Sequence, residues 1–198
     1  MDDRRFIEKH HKEFIGLLDS IRATDITGSK LDIYEGIERA CNIIKERAGG
    51  KLFFIGNGGS AAIASHMAID FWKNGGIPAT AFNDSSLLTC ISNDFGYKHV
   101  FEKPLEMFAN NGDVLFAISS SGKSENILMG TEAARLKGCS VITLSGFGSD
   151  NPLSIRGNIN FYVPSNEYGP VEVAHQYICH WILDTLMATK VNTVHLGL

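Results

Sequence analysis

Five apolar segments, separated for the most part by helical or turn-rich sequence, constrain the fold of this 198-residue chain more than any other feature. The segments read FFI, IPATAF, DVLFAI, CSVITL and INFYV. Helical spacing predicts helices over 60–72, in parts of 85–109, over 124–137 and over 171–189. Continuous apolar strands that alternate with helices are typical of a parallel sheet covered on both faces. The pattern therefore predicts an α/β fold.

Two more helices, over 6–21 and 31–48, are predicted before the first of these strands, because apolar residues recur there at helical spacing. The chain then divides into N-terminal helices (1–48), a main α/β domain (49–190) and a C-terminal tail (191–198) that we expect to be disordered. We expect these parts to form one structural unit.

The composition excludes several classes of function. Hydrophobic residues make up 44% of the chain, charged residues 20%, and the net charge is −4, so no basic surface for nucleic acid or membranes is indicated. No apolar run approaches the ~18 residues of a membrane span, and the N-terminal sequence is too charged for a secretory signal. The four cysteines lie far apart and form no CxxC pair, which favours reduced thiols in a cytoplasmic protein.

The stretch ISSSGKSEN contains GKS and follows the strand DVLFAI, but it is not a nucleotide-binding P-loop. The glycine that such a loop requires would stand at Ala117, inside the strand. The stretch instead offers four hydroxyls at the start of a helix, those of Ser119, Ser120, Ser121 and Ser124. Such a helix N-terminus suits one phosphate monoester. An ordinary serine-rich turn with Ser124 as its N-cap is the alternative.

A second loop, GNGGS over 56–60, also follows a strand. Ligands of open α/β sheets bind beyond the carboxyl ends of strands, so both loops lie on the expected side. The loop does not match GxGxxG, and we therefore predict no nucleotide. The glycines could also serve only a tight strand-to-helix turn.

Two predicted helices carry groups that could bind a metal or transfer protons. His66 and Asp70 stand four residues apart, and Glu172 and His180 stand eight apart, so each pair projects from one helix face. Structural or solvated side chains are the alternative, and spacing does not show whether the two helices meet. Asn93 and Asp94, just before Gly96, are typical of a helix stop.

Several motifs in order resemble the SIS (sugar isomerase) domain and, more closely, its phosphoheptose isomerase group, which interconverts sedoheptulose 7-phosphate and a heptose 7-phosphate. They are GNGGSAA, ISNDFGY, GDVLFAISSSGKSENI and VITLSG, and the similarity covers about 31–189. The resemblance implies a three-layer αβα sandwich with a five-stranded parallel sheet. It also implies N-terminal helices used in oligomerisation and a homotetramer or homodimer with active sites between subunits. The helices carrying His66 and His180 could then meet only across an interface.

The resemblance also assigns roles to individual residues. Those that would bind the phosphorylated sugar are Asn57, Gly58, Gly59, Ser60, Asn93, Asp94, Ser119, Ser120, Ser121, Ser124 and Glu172. Those that would bind one zinc ion are His66, Asp70, Glu172 and His180. Asp70, His180 and Glu172 are the candidates for acid and base in isomerisation through an enediol.

The chain departs from the usual pattern of that group at several positions. Asp70 stands where these enzymes usually have Glu, Glu172 where they usually have Gln, and Asn74 where an Arg is common. A carboxylate displaced by about one methylene can lower a rate ~10²-fold. The departures suggest a divergent relative.

Two other functions stay open at the level of sequence. One is a non-catalytic SIS protein that binds a sugar phosphate or a protein partner, like the relative that binds the bacterial replication initiator. That relative lacks a histidine matching His180, so the enzyme is favoured. The other is a different SIS chemistry, such as hexulose phosphate isomerisation, which the NDFGY motif fits less well.

Overall fold

The computed structural model describes residues 3–47 and 49–195, with side chains described as far as residue 189. One mostly parallel sheet forms the centre of the fold. The strands are β1 Arg22–Asp25, β2 Lys30–Leu31, β3 Leu52–Gly56, β4 Ala79–Ala81, β5 Val114–Ser119, β6 Ser140–Ser145 and β7 Ile159–Tyr162. Their order across the sheet is β2-β1-β7-β6-β5-β3-β4. From β7 to β4 the strands are mutually parallel, whereas β1 is antiparallel to both β7 and β2.

The predicted count of five strands is wrong, since the sheet has seven. The five apolar segments form the parallel part, and the two extra strands form a hairpin added to the edge at β7. The side chain of Asp25 closes this hairpin by accepting hydrogen bonds from the backbone N–H groups of Thr27 and Ser29, at 2.9 and 3.0 Å. Because both strands are short and largely polar, no apolar alternation marks them in the sequence.

Seven α-helices surround the sheet in the part of the chain that the structure covers. They are α1 Asp3–Asp19, α2 Ile33–Lys45, α3 Gly59–Lys73, α4 Ser85–Phe95, α5 Glu102–Phe108, α6 Glu125–Leu136 and α7 Tyr168–His195. A 3₁₀ turn, Tyr97–His99, links α4 to α5. The segment expected to be a disordered tail, 191–198, begins within α7, and its residues 196–198 lie outside the described residues.

The sheet is buried on both faces, as the alternation predicted. Every residue of β3 and β5 is buried. Phe54 and Phe116 stack at 4.5 Å between ring centroids on the face that α2, α3 and α7 cover. Phe53 points to the opposite face, which α5 and α6 cover. Parallel strands place their carboxyl ends at one edge of the sheet, so the loops after β3 and β5 open side by side.

None of the residues of helix α1 is buried. Phe6 and Ile7 on this helix are 56% and 65% exposed. Nowhere in 3–47 or 49–195 is a helix both long enough and apolar enough to cross a membrane.

Candidate active site

A cavity of about 230 Å³ opens at the carboxyl ends of β3 and β5. Its lining consists of Asn57, Gly58, Gly59, Ser60, Ile118, Ser119, Ser120, Ser121, Ser124, Tyr168 and Glu172. The fold thus gathers the two predicted loops and the first turn of α7 around one space. Of the predicted substrate-binding residues, only Asn93 and Asp94 are not part of this lining.

The serine-rich loop turns tightly before α6 and keeps its hydroxyls near the cavity. The N–H of Gly122 donates to the carbonyl and to the hydroxyl of Ser119, both at 3.1 Å. Ser124 occupies the N-cap position of α6, but its side chain makes no capping hydrogen bond. The alternative of an ordinary capping serine therefore does not describe this side chain.

Within this loop, Ser120 gives the clearest indication of a ligand site. It is only 4% exposed, and its hydroxyl oxygen has no hydrogen-bond partner. A buried polar atom without a partner costs roughly 1–3 kcal/mol. The N-terminus of α6, with its free N–H groups and partial positive charge, begins five residues later. The loop therefore offers hydrogen bonds and favourable electrostatics to an anion.

Gly122 has no substitute in this loop for two reasons. Its φ is 62°, which glycine adopts without strain. A Cβ at this position would also collide with the side chain of Asn151, which is itself bound to the carbonyls of Gly146 and Gly148.

Gly59, at the start of α3, allows α7 to approach the cavity closely. A Cβ there would overlap the whole carboxylate group of Glu172. The carboxylate thus lies against the N-terminus of α3, where the helix dipole favours a negative charge.

Farther along the same two helices, His66, Asp70 and His180 converge, with one ligand atom from each within 4.8 Å of the others. Nε2 of His66 lies 3.2 Å from Oδ2 of Asp70, and Nδ1 of His180 lies 4.0 Å from the same oxygen. The imidazole centroids are 5.4 Å apart. The other oxygen of Asp70 accepts a hydrogen bond of 3.3 Å from the side-chain amide of Asn74.

Residues 30–146 match the SIS domain family. Phosphoheptose isomerase from Helicobacter hepaticus is 37% identical over 158 residues, which are 76% of this chain and 80% of that enzyme. The chain belongs to the phosphoheptose isomerase group of the SIS domain family.

Two further comparisons agree with this assignment to the SIS domain family. Phosphoheptose isomerase from Serratia proteamaculans is 45% identical over 119 residues, which are 57% of this chain and 62% of that enzyme. The solved structure of phosphoheptose isomerase from Neisseria gonorrhoeae superposes with a TM-score of 0.81 at 28% identity, covering 93% of this chain and 98% of that one. The family resemblance that the motifs indicated is confirmed.

One expectation for this SIS domain is corrected by the geometry. The family resemblance raised the possibility that the helices carrying His66 and His180 meet only across a subunit interface, but α3 and α7 pack together within one chain and bring the two imidazoles into contact. They meet because both helices lie on the same face of the sheet, which the spacing of residues along the sequence does not reveal.

Glu172 does not join the other three predicted metal ligands in this chain. Its carboxylate lies against Gly59, and His180 stands eight positions later on α7, a rise of about 12 Å along the helix axis. Asn93 and Asp94 lie exposed on α4, where the amide of Asn93 donates to Asp94 at 2.9 Å.

The structure adds residues that the sequence analysis did not identify. Asn126 and Asn57 exchange hydrogen bonds through their amides at 2.8 and 2.9 Å, and the hydroxyl of Tyr97 donates to Asn57 at 3.0 Å. Asn126 and Tyr97 belong to the motifs SGKSEN and NDFGY. Their position beside the predicted site residues of those motifs could have indicated them in the sequence. Together they fix the side chain of Asn57 at the cavity.

His175, on the buried face of α7, is also new. It is fully buried, and its Nε2 donates to the carbonyl of Ser145 at 3.1 Å, while Nδ1 has no partner. Burial lowers the pKa of His175 to about 4, against the opposing effect of that hydrogen bond. The imidazole is therefore neutral at physiological pH and joins α7 to the end of β6.

Proposed function

We propose that the chain is an aldose–ketose isomerase that converts sedoheptulose 7-phosphate, or a related ketose phosphate, to the aldose heptose 7-phosphate. The observation that carries the proposal is the unpartnered hydroxyl of Ser120, buried in the cavity before the N-terminus of α6. A single phosphate group would accept its hydrogen bond and those of the neighbouring serines. Family membership supports an enzyme rather than a non-catalytic binder.

The phosphate would act as a handle for the rest of the sugar. Hydrogen bonds to Ser119, Ser120, Ser121 and Ser124 would hold one end of the substrate, and their binding energy would orient the reactive end. The amide of Asn57, held by Asn126, is rigid enough to select the orientation of a sugar hydroxyl.

Isomerisation requires that a proton leave the carbon next to the carbonyl and that another return to the neighbouring carbon, through an enediol. Asp70, His180 and Glu172 are our candidates for these transfers. The hydrogen bond from Asn74 restrains one oxygen of Asp70, and the other oxygen faces both imidazoles. That restraint would fix the direction of a carboxylate that reaches one methylene less far than the usual Glu.

We also propose zinc at His66, Asp70 and His180. A tetrahedral ion with ligands at 2.0–2.2 Å separates those ligand atoms by roughly 3.4 Å. The two nitrogen–oxygen separations are 3.2 and 4.0 Å, and all three ligand atoms lie within 4.8 Å of one another, so binding would draw the three side chains closer together. Two imidazoles and a carboxylate are donors that zinc accepts. Bound there, zinc would polarise the substrate carbonyl.

We further propose that the active site forms between copies of the chain, in a homodimer or homotetramer. The carboxylate of Glu172 lies against Gly59, whereas His180 lies with His66 and Asp70, so the four predicted ligands do not surround one point within a single chain. A neighbouring copy could supply the fourth ligand. Exposed apolar residues beside these groups support such contacts: Ile69, Trp72, Val173 and Tyr177 are between 45% and 55% exposed.

We place the protein in the cytoplasm, a proposal that its four free cysteines support.

Turnover of a panel of five- to seven-carbon ketose phosphates, with zinc supplied, tests the proposed reaction. We expect turnover of sedoheptulose 7-phosphate. His180→Gln should abolish it and leave the Kd for inorganic phosphate unchanged, whereas Ser120→Ala should raise that Kd by roughly tenfold or more because a charge-assisted hydrogen bond is lost. His11→Gln, which changes an exposed histidine of α1, is the control.

Binding of sugar phosphates by the wild-type protein without turnover of any of them would favour the non-catalytic alternative. Turnover of a shorter ketose phosphate alone would keep the isomerase but replace its substrate.

A further inference from the structure

Phe147 has a backbone conformation that bulky side chains avoid. Its φ is 56°, and it is the only non-glycine with a positive φ among the residues the structure describes. Its two neighbours in the sequence are glycines, the residue type that adopts a positive φ without strain, yet the positive φ falls on the phenylalanine. Strained conformations of this kind cost roughly 1–3 kcal/mol, and they cluster at ligand sites. The surroundings of Phe147 must therefore hold its backbone in place.

Two hydrogen bonds hold the backbone of Phe147. Its N–H donates to the carbonyl of Ser165 at 2.9 Å, and its carbonyl accepts from the hydroxyl of Tyr162 at 2.6 Å. Both partners lie at or after the end of β7, so the loop after β6 is joined to the segment that leads into α7. The ring also packs against the main hydrophobic core. Together these contacts give the ring one defined position.

The ring of Phe147 supports Tyr168, the first residue of α7. The two rings meet edge to face, with centroids 4.9 Å apart and planes at 69°. Tyr168 lines the cavity and is 62% exposed, which places it at the rim. Glu172 stands one turn later on the same helix face.

Tyr168 is the one aromatic residue among those lining the cavity, where most of the other side chains are polar or absent. An aromatic ring can pack against the C–H groups of a sugar chain, and a phenol can exchange a hydrogen bond with a sugar hydroxyl. Polar groups would hold the phosphate, so this ring would contact the carbon chain beyond it.

We propose that Tyr168 contacts the carbon chain of the substrate and determines which sugar phosphates bind, and that Phe147 is its positioning residue. The proposal rests on the proposed function, since it needs a phosphorylated sugar in this cavity. Tyr168 would thus contact the sugar part of the substrate, whereas the serine-rich loop would bind its phosphate group.

Calorimetric binding of sedoheptulose 7-phosphate and of inorganic phosphate to the full-length protein tests this role. Tyr168→Ala should raise Kd and KM for the sugar phosphate on the order of tenfold and leave both kcat and the Kd for inorganic phosphate unchanged, because only uniform sugar binding is lost. Tyr168→Phe separates the contribution of the ring from that of the hydroxyl.

Phe147→Leu tests the positioning role. It should raise the sugar phosphate Kd by a smaller factor in the wild-type background and have no further effect in Tyr168→Ala, because the two residues act as one unit. Tyr34→Ala is the matched control: Tyr34 is 70% exposed and makes an edge-on contact with Trp181 at 5.8 Å, but does not line the cavity.

An unchanged sugar phosphate Kd in Tyr168→Ala, or an equal rise for inorganic phosphate, would overturn the inference while leaving the isomerase in place. Wild-type protein that neither binds nor converts sedoheptulose 7-phosphate would refute the proposed function, and the inference with it.

Discussion

Single residues explain how α7 is held against the sheet. His175 is the clearest case, because a titratable group is fully buried with one hydrogen bond, to the carbonyl of Ser145. Burial lowers the pKa of His175 from 6.5 to about 4. The folded state thus binds this proton more weakly than the unfolded state does, and the difference makes stability depend on pH.

The free energy of unfolding should fall as pH drops from 6.5 toward 4, since the unfolded chain takes up a proton that the folded chain refuses. By pH 5 the loss from this one group should be about 2 kcal/mol. Urea unfolding at pH 7, 6 and 5 measures it. His175→Gln keeps an N–H donor for Ser145 and does not titrate, so its unfolding free energy should fall less over the same range. Parallel pH profiles for the two proteins would contradict the prediction.

Residues with a distinctive local motif could be predicted, and residues that act through the fold could not. The composition of two loops, serines after β5 and glycines after β3, predicts that they bind a ligand. Both loops line one cavity in the structure. Tyr168 and His175 sit in α7 without any local pattern. Their partners, Phe147 and Ser145, come from another element, so only the assembled fold shows the pairing.

At the level of elements, α3 and α7 make the site by packing side by side. Their N-terminal turns meet at Gly59 and Glu172, and their middles meet at His66, Asp70 and His180. The five apolar strands could be predicted because burial on both faces leaves continuous apolar runs. The β1–β2 hairpin could not, because short polar strands at a sheet edge lack that signature.

An ion bound by His66, Asp70 and His180 would join α3 to α7. Zinc added to chelator-treated protein should therefore raise Tm, by the equivalent of about 2.7 kcal/mol when free zinc is a hundred times its Kd. Differential scanning fluorimetry measures the shift, which His180→Gln should remove and His11→Gln should retain. Equal shifts in both variants would place the zinc elsewhere.

At the scale of the whole molecule, α1, α3 and α7 leave apolar residues exposed. We propose that these surfaces join copies of the chain and that Glu172 of one copy works with His180 of another.

Mixed assemblies can test that arrangement. Glu172→Ala and His180→Gln should each be inactive alone. Co-expressed and purified as mixed dimers through two different tags, they should regain about half of wild-type activity, because each mixed dimer holds one intact site of two. Mixing wild type with either variant gives the reference for exchange. Mixed dimers that stay inactive would show that each chain builds its site alone.

The sheet ends on both sides in very short strands, the two residues Lys30–Leu31 and the three residues Ala79–Ala81. Terminal strands this brief present too few free amide and carbonyl groups to recruit another chain by backbone pairing. Copies of this protein would consequently join through helical surfaces, and their stacking into continuous β-structure is disfavoured from the outset.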